Sequence, residues 1–401
     1  MIEGESILCF APDPWSAIWR NRHQLLSILA ERNRVMYVEP RTYLRQMLAM
    51  LQPGRKLGAP MRGKRVSLAL PNLYVYHNLD LAPISGRFPL KQITSTIRHR
   101  SLRYELQRLQ FGRPILWLCR PEMGDLIGQF DEKLLLYHVV DEYSAYERIA
   151  SVAAARERER AILERADLVI TTAPALRETK RQFNPHTYLV PNAVNFEEFD
   201  RVMQANVPAP ADMGQLPRPL AGYVGAINAK LDLAILIDVA LALPHWTLAL
   251  VGPVDLPETN ERLQALHRLP NVRFLGCKPV ELVPHYIKAI DVCLLPYRQT
   301  EWTRHISSLK LFEYLACGKP VVCSDVPASR EQADLVYIAA NAQTFANLVR
   351  QAAEERDPEL ARSRRKVASQ NTWRSRVETI SGLIAQALAA RSHVAGEPAQ
   401  A

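Results

Sequence analysis

Short apolar runs rich in β-branched residues alternate with helix-forming stretches twice along this chain of 401 residues. The first series begins with the run Ser6–Phe10, and a second series restarts with "PLAGYVGAI" at residues 219–227. Strands and helices that alternate in this way form a parallel sheet with right-handed crossover connections. We therefore predict an α/β protein with two doubly wound, Rossmann-like domains that face a central cleft.

The length also favours two domains, because a single hydrophobic core rarely grows beyond about 250–300 residues. Four prolines fall within residues 201–219, between the two series, and indicate a linker. The predicted organisation is a first domain at 1–200, a linker at 201–219, a second domain at 220–370, a C-terminal helix at 371–392 that crosses back to the first domain, and a disordered tail at 393–401.

The composition, with 48% hydrophobic and 23% charged residues, is typical of a soluble globular protein. No apolar run reaches the roughly 18 residues of a membrane helix, and the first ten residues do not resemble a signal peptide. Six cysteines occur without a CxxC pair, which predicts free buried thiols and no zinc site. We expect a cytoplasmic protein.

The positive charge is concentrated in residues 41–113, where 14 lysines and arginines face only Asp80 and Glu105. That segment carries a net charge of +12, and the rest of the chain carries −3. Such a surface attracts anions, which here means lipid headgroups, a diphosphate-bearing substrate or nucleic acid. Nucleic acid is disfavoured because the segment lacks the interleaved aromatic and basic residues of a stacking platform.

Ligands of open α/β sheets bind beyond the carboxyl ends of the strands, so residues that directly follow strands are candidates. Gly225 follows the strand "AGYVG", and a glycine there permits close approach of the backbone to a phosphate. Lys230, five residues later, can reach the same phosphate. The alternative is an ordinary turn with a surface lysine, since no GxGxxG motif is present.

The stretch "SSLKLFEYLACGKPVVCSD", residues 307–325, predicts a helix that breaks at a glycine before a strand. Ser307 or Ser308 can cap this helix, while Lys310 and Glu313 share one of its faces. One interpretation is an intrahelical ion pair. The other is that Glu313 accepts hydrogen bonds from ribose hydroxyls, while Lys310 and the helix start hold a diphosphate.

Two groups of polar residues follow strands of the first series. Asp13, Arg22 and His23 come after the first strand, and the two cations suit a phosphate or a carboxylate. The alternative for them is a capped helix with exposed cations. Asp141 ends the strand "KLLLYHVVD" and is either a general base or sugar ligand, or a helix N-cap.

The stretch "SSLKLFEYLACGKPVVCSDVP" resembles the nucleotide-sugar site of GT-B-fold glycosyltransferases. The similar family is GT4-like (glycosyl transferases group 1), which includes polysaccharide and teichuronic-acid-type transferases. "VPNAVNFEEF" is similar to its inter-domain "PNGVD…F" stretch, and "YVGAINAKLDLAIL" to the start of its donor domain. The resemblance implies a donor-binding second domain and an acceptor-binding first domain.

Two positions depart from the family pattern. Many members have a glutamate eight residues before Glu313, where this chain has His305. A histidine can still form hydrogen bonds with sugar hydroxyls or phosphate. Ala193 replaces the glycine of the family's Asn-Gly pair, and we expect Asn192 to adopt the turn because asparagine tolerates unusual φ angles.

The resemblance implies transfer of a sugar from a nucleoside diphosphate sugar to a lipid-linked or cell-surface polysaccharide acceptor, without a metal ion or cofactor. The helix start and lysines would stabilise the leaving diphosphate. Alternatives are a GT-B-type nucleotide-sugar epimerase and a non-catalytic nucleotide-sugar-binding protein. The basic segment indicates peripheral contact with the anionic inner face of the cytoplasmic membrane.

The residues expected to take part fall into three groups. They are Asp141 and His305 in catalysis; Gly225, Lys230, Ser307, Ser308, Lys310 and Glu313 in donor binding; and Asp13, Arg22 and His23 in acceptor or phosphate binding.

Overall fold

The chain divides into two compact units. The computed structural model describes residues 1–17, 19–40, 65–78, 89–146 and 151–396. The first unit comprises Met1–Thr171, Leu176–Val190 and the segment from Val377 onward, and the second comprises Thr172–Ala175 and Pro191–Arg376.

Within the described residues, the first unit is built on an eight-stranded sheet. Its strands are β1 (Ser6–Phe10), β2 (Arg34–Val38), β3 (Val66–Leu70), β4 (Leu73–Tyr76), β5 (Ile115–Leu118), β6 (Leu134–Val139), β7 (Leu168–Thr171) and β8 (Thr187–Leu189). The strand order is β3-β4-β2-β1-β5-β6-β7-β8, and only β3 runs antiparallel to its neighbour. The order reverses between β1 and β5, which are parallel neighbours.

The helices of this first half connect the strands. They are α1 (Asn21–Leu29), α2 (Leu90–Arg108), α3 (Val152–Leu163) and α4 (Pro174–Arg181), with 3-10 turns at Pro121–Leu126 and Tyr143–Ala145.

The second unit contains a six-stranded sheet in which every pair of neighbours is parallel. Its strands are β9 (Leu220–Val224), β10 (Thr247–Val251), β11 (Val272–Gly276), β12 (Val292–Leu295), β13 (Val321–Ser324) and β14 (Tyr337–Ala339). The order β11-β10-β9-β12-β13-β14 is the 3-2-1-4-5-6 order of nucleotide-binding doubly wound sheets.

Helices also alternate with the strands of the second unit. They are α5 (Phe196–Gln204), α6 (Ala211–Gly214), α7 (Leu233–Ala242), α8 (Glu261–Arg268), α9 (Val283–Ala289), α10 (Glu301–Arg304), α11 (Leu309–Ala316), α12 (Pro327–Arg330), α13 (Ala342–Ala353) and α14 (Pro358–Gln370), with a 3-10 turn at Val280–Leu282. The last helix, α15 (Trp373–Gly396), begins in the second unit and belongs to the first from Val377 onward.

The central strands are apolar along their whole length because helices cover both sheet faces. Every residue of β1, β9 and β10 is buried. This burial explains why these strands appear in the sequence as continuous apolar runs rather than as alternating ones. The predicted α/β class with two doubly wound domains is confirmed.

The boundary between the units differs from the predicted linker at 201–219. The chain passes from the first unit to the second between Val190 and Pro191. Phe199 and Met213 are buried in the core of the second unit, and the Lys288 ammonium donates to the Val202 carbonyl of α5 and to the Ala205 carbonyl just after it. The proline-rich stretch is therefore a folded part of the second unit and not a linker. Its few apolar residues pack against residues distant in sequence, which composition does not reveal.

Two further differences concern the first unit. The hairpin β3–β4 was not predicted; it turns at Asn72, whose φ of 61° suits an asparagine. Residues 41–52, where the apolar residues fall at helical spacing in the sequence, lie outside the described residues. The final helix continues to Gly396, past the predicted end at 392, and residues 397–401 lie outside the described part.

Arg391 on the last helix donates to the Lys133 carbonyl over 3.1 Å and to the Asp167 carboxylate over 2.6 Å, all within the first unit. Five cysteines are buried, and only Cys277 is exposed. Among the described residues, no helix combines the length and the apolar character that a membrane crossing requires.

Candidate functional site

The strand order of the second unit reverses between β9 and β12, and ligands of doubly wound sheets bind at such a point. Gly225 directly follows β9, and α11 lies between β12 and β13 along the chain. The topology therefore brings Gly225 and the opening of α11 to the same edge of the sheet, as the sequence predicted.

Gly225 and Lys310 are in direct contact. Gly225 has a φ of +150°, and a Cβ built on it would lie 1.7 Å from Cε and 2.6 Å from Nζ of Lys310. Gly252, at the end of β10, has a φ of +142°, and its Cβ would lie 2.0 Å from the Gly225 carbonyl oxygen. Both positions require glycine. The Lys310 side chain lies against the backbone of Gly225, where any other residue would place its Cβ.

The start of α11 is fixed by its two serines, which have different partners. The Ser308 hydroxyl accepts a hydrogen bond from the Leu311 N–H over 3.3 Å and so caps the helix. The Ser307 hydroxyl accepts from the Asn192 N–H over 3.1 Å, and the Asn192 side-chain amide donates to the Ser307 carbonyl over 2.8 Å. Ser307 therefore holds the Pro191–Val194 stretch against the helix start.

The expectation of an unusual φ at Asn192 is wrong, because the described residues with positive φ do not include it. Ala193 is fully buried, and Val194 forms a bridge with Thr372. Alanine replaces the family's glycine without strain, since this backbone never enters the left-handed region.

Tyr314, which the sequence analysis did not single out, anchors α11 to the end of β9. Its hydroxyl accepts a hydrogen bond from the Val224 N–H over 2.8 Å, one residue before Gly225. The side chain is fully buried. In the sequence it belongs to the apolar face of the helix, so its polar role could not be distinguished from core packing.

Glu313 is partly exposed, and its carboxylate accepts no hydrogen bond from the residues that the structure describes. Burial raises its pKa from 4.5 to about 7; Lys310 opposes this increase and the nearby Glu198 adds to it. The carboxylate is held one helical turn from Lys310 and retains its full capacity to accept hydrogen bonds. It is therefore a ready acceptor for ligand hydroxyls.

His305 is buried between α10 and α11, and its Nδ1 lies 2.8 Å from the Glu301 carbonyl oxygen. A carbonyl only accepts hydrogen bonds, so Nδ1 carries the proton when the ring is neutral. The Nε2 atom of the neutral ring is then an acceptor. The residue can accept a hydrogen bond from a sugar hydroxyl but does not reproduce the charge of a glutamate.

Lys230 lies against the loop before α10. Its ammonium is 4.5 Å from the centre of the Trp302 ring, a cation–π distance. Its carbonyl accepts from the Arg298 N–H over 2.8 Å, and Leu231 forms a bridge with Tyr297. Tyr297 and Trp302 thus pack this loop, and a phosphate contact by Lys230 stays a prediction.

The first-unit candidates Asp13 and Arg22 also come together. The Arg22 guanidinium is buried and forms an ion pair with the Asp13 carboxylate. The Tyr37 hydroxyl donates to the Asp13 carbonyl over 2.8 Å. The alternative of exposed cations is wrong for Arg22, because its side chain is only 6% exposed.

His23 is completely buried among aromatic rings. The Arg20 N–H donates to its Nδ1 over 3.1 Å, and Tyr37 contacts its Nε2 over 3.3 Å. Burial, with the neighbouring Arg22, lowers its pKa to about 4. A neutral, enclosed imidazole argues against the predicted role in phosphate or carboxylate binding; the burial arises from Trp15 and Trp19, whose packing the sequence did not reveal.

Asp141 is not a helix cap, because the cap of the turn Tyr143–Ala145 is Glu142. Its carboxylate instead accepts from the Tyr146 hydroxyl over 2.9 Å. Arg120, which no sequence pattern indicated, has its guanidinium over the rings of Tyr143 and Tyr146. No group of three metal-ligating side chains occurs in the part of the chain that the structure describes.

Two doubly wound units of this kind define the GT-B fold, which is the predicted class. Residues 218–355 match the family model described as Glycosyl transferases group 1. A Bacillus subtilis (strain 168) protein named as the teichuronic acid biosynthesis glycosyltransferase TuaH is 35% identical over 189 residues. That match covers 45% of this chain and 46% of TuaH, so less than half of each protein is compared.

Solved structures match over nearly the whole chain. Sucrose-phosphate synthase from Thermosynechococcus elongatus has a TM-score of 0.71 at 20% identity and covers 96% of this chain and 100% of its own. HepE of Anabaena, in complex with UDP and glucose, has a TM-score of 0.65 at 16% identity and covers 95% and 100%. At these identities the likeness establishes the GT-B fold, and the similarity to glycosyl transferases group 1 is shown over residues 218–355.

The raised pKa of Glu313 predicts how stability depends on pH. The folded state holds the proton up to about pH 7. The unfolded chain releases it near 4.5, so the free energy of unfolding falls as the pH rises between these values. We expect Glu313→Gln to match the wild type below pH 4.5 and to be more stable by about 3 kcal/mol at pH 8.

Urea unfolding at several pH values from 4 to 8 measures this difference. Glu258→Gln, at an exposed position of the same unit, is the matched control. Its free energy of unfolding should change with pH in the same way as that of the wild type. A Glu313→Gln profile that also runs parallel to the wild type would show that the folded protein does not raise the pKa of this carboxylate.

Proposed function

We propose that this chain is a glycosyltransferase that moves a sugar from a nucleoside diphosphate sugar to a glycan or lipid-linked acceptor. The observation that carries the proposal is the contact between Lys310 and the bare backbone of Gly225. A cation beside an uncrowded backbone at a topological switch point is suited to a diphosphate. The group 1 family match over residues 218–355 covers the same elements.

The leaving diphosphate would be bound at the opening of α11. The first N–H groups of a helix have no partner within the helix, and they carry the positive end of its dipole. Ser308 satisfies the Leu311 N–H and so fixes the start of α11 at the sheet edge where Lys310 lies. Such fixed donors stabilise negative charge as the sugar–phosphate bond breaks.

The ribose would be bound by Glu313, one turn further along α11. Two adjacent hydroxyls can donate to the two oxygens of one carboxylate, which makes charge-assisted hydrogen bonds. A uridine nucleotide is the first donor to test, because HepE of Anabaena has been solved in complex with UDP and with UDP-glucose. The name of TuaH supports a cell-surface polysaccharide as the acceptor.

Each unit contributes one residue to the proposed catalysis, Asp141 in the first unit and His305 in the second. Asp141 offers a carboxylate to accept the proton of the attacking hydroxyl. His305 offers its Nε2 atom to a hydroxyl of the transferred sugar. We propose that charge stabilisation comes from Lys310 and the helix start, so that the reaction needs neither a metal ion nor a cofactor.

A panel of UDP-, GDP- and dTDP-sugars tests the donor site. We expect one nucleotide class to stabilise the protein thermally and to be hydrolysed slowly to the nucleoside diphosphate. Glu313→Ala should weaken its binding about tenfold or more, and the wild-type affinity should rise with pH through about 7 as the carboxylate ionises.

Glu258→Ala, on the same unit but away from α11, should bind the donor like the wild type. Unchanged donor binding by Glu313→Ala would refute the ribose assignment. Failure of the wild type to bind any of the nucleotide sugars would refute the transferase proposal, and binding without turnover in the presence of membrane extract would favour the non-catalytic alternative.

We also propose peripheral contact with an anionic membrane through α2. Leu90, Ile93, Ile97 and Tyr104 are between 39% and 61% exposed and lie at spacings of three, four and seven residues, on one face. Arg100 is on the same face, and the helix sequence contains one acid among its cations. An apolar stripe with cations suits the headgroup region of an anionic bilayer.

Sedimentation with phosphatidylglycerol vesicles tests this contact. Wild-type protein should bind them at low salt and not bind phosphatidylcholine vesicles, while the pair Ile93→Gln and Ile97→Gln should reduce binding about tenfold. Leu241→Gln, which changes a residue 61% exposed on the second unit, is the control and should have no effect. Equal binding by all three proteins would exclude α2 as the contact.

A further inference from the structure

Arg120 lies at the strand pair β1–β5 of the first unit, which corresponds to the pair β9–β12 of the second. It lies two residues after the end of β5, where the strand order reverses. Asp13 and Arg22 follow β1 at the same edge of the sheet. By the rule for doubly wound sheets, this edge is where the first unit would bind a ligand.

The Arg120 guanidinium lies over the rings of two tyrosines, which meet edge to face. Its central carbon lies 4.8 Å from the ring centre of Tyr143 and 5.3 Å from that of Tyr146. The Tyr143 hydroxyl donates to the Cys119 carbonyl over 2.8 Å, and the Tyr146 hydroxyl donates to the Asp141 carboxylate over 2.9 Å. Because both rings are fixed, the planar fork of the arginine is oriented before any ligand arrives.

Within the described residues, no carboxylate forms an ion pair with this partly buried arginine. Arg364, a buried arginine of the second unit, is paired through two hydrogen bonds with Glu355. Arg22 is paired with Asp13. Arg120 has instead a hydrogen bond with Tyr146, and this leaves most of its five guanidinium N–H donors for a bound anion.

Two carboxylates near Arg120 favour its charge without forming an ion pair with it. Asp141 and the exposed Glu122 act on it only from beyond ion-pair distance. Burial lowers the pKa of His138 to about 3, so this histidine is neutral. Arg22 also acts on Cys119, next to Arg120, and so lies in the same neighbourhood.

We infer that Arg120, oriented by Tyr143 and Tyr146, forms a subsite for an oxyanion of the acceptor. The ligand chemistry is a phosphate or a carboxylate, either of which the guanidinium fork can bind with two parallel hydrogen bonds. The assignment to the acceptor rests on the proposed function, in which the second unit holds the donor. It also makes Arg120 a specificity-determining residue, because an uncharged acceptor would leave the arginine without an anionic partner.

The test uses inorganic phosphate and glucuronate as separate probes of full-length protein that is saturated with UDP. Arg120→Gln removes the charge, and Arg120→Lys keeps the charge but loses the planar fork. Arg113→Gln is the matched control, because Arg113 precedes β5 at the opposite edge of the sheet and forms an exposed ion pair with Asp131. Binding is measured by calorimetry, and folding by thermal unfolding.

We expect the wild type and Arg113→Gln to bind at least one probe, Arg120→Gln to bind it about tenfold more weakly or worse, and Arg120→Lys to fall between them. The probe that binds distinguishes a phosphorylated acceptor from an acidic sugar. Equal binding by the wild type and Arg120→Gln, or no binding of either probe to the wild type, would overturn the inference.

UDP binding in the same samples tests the proposed function separately. All the variants should bind UDP like the wild type, since Arg120 and Arg113 belong to the first unit. Protein that binds an anion through Arg120 but binds no nucleotide would keep the subsite and contradict the proposed donor.

Discussion

The candidate donor site depends on the close approach of the Lys310 side chain to the backbone at the end of β9. Gly252 leaves room for the Gly225 carbonyl, and Gly225 leaves room for the Lys310 side chain. Tyr314 then fixes α11 to the same strand through the Val224 N–H. A side chain at either glycine would move the cation away from the sheet edge, so these contacts determine what α11 can present to a ligand.

Much of this arrangement could be predicted because it follows from local sequence. The alternation of apolar runs and helices gave the fold class, and the spacing of Lys310 and Glu313 placed both on one helix face. The contacts of Asn192 with Ser307 and of Tyr314 with Val224 span 115 and 90 residues, and no local pattern indicates them. The proline-rich stretch was misread for the same reason.

Contacts between residues distant in sequence also explain why the sites of the first unit were predicted less well. His23 looked like an exposed cation at a helix start, but the packing of Trp15, Trp19 and Tyr37 encloses it and keeps it neutral. Arg120 gave no signal in the sequence, because its significance depends on two tyrosines more than twenty residues later and on the absence of an ion pair among the described residues. The charge of a residue does not by itself identify it as a binding residue, because its contacts in the folded protein determine whether it can bind a ligand.

The most direct test of the central claim is the affinity for UDP of Gly225→Ala compared with that of Gly276→Ala. Gly276 also has a positive φ, 70°, but a Cβ there meets nothing within 4 Å. Both variants therefore carry backbone strain, and only the first displaces Lys310. The account predicts at least about tenfold weaker UDP binding by Gly225→Ala and near wild-type binding by Gly276→Ala. Equal affinities for the two variants would contradict it.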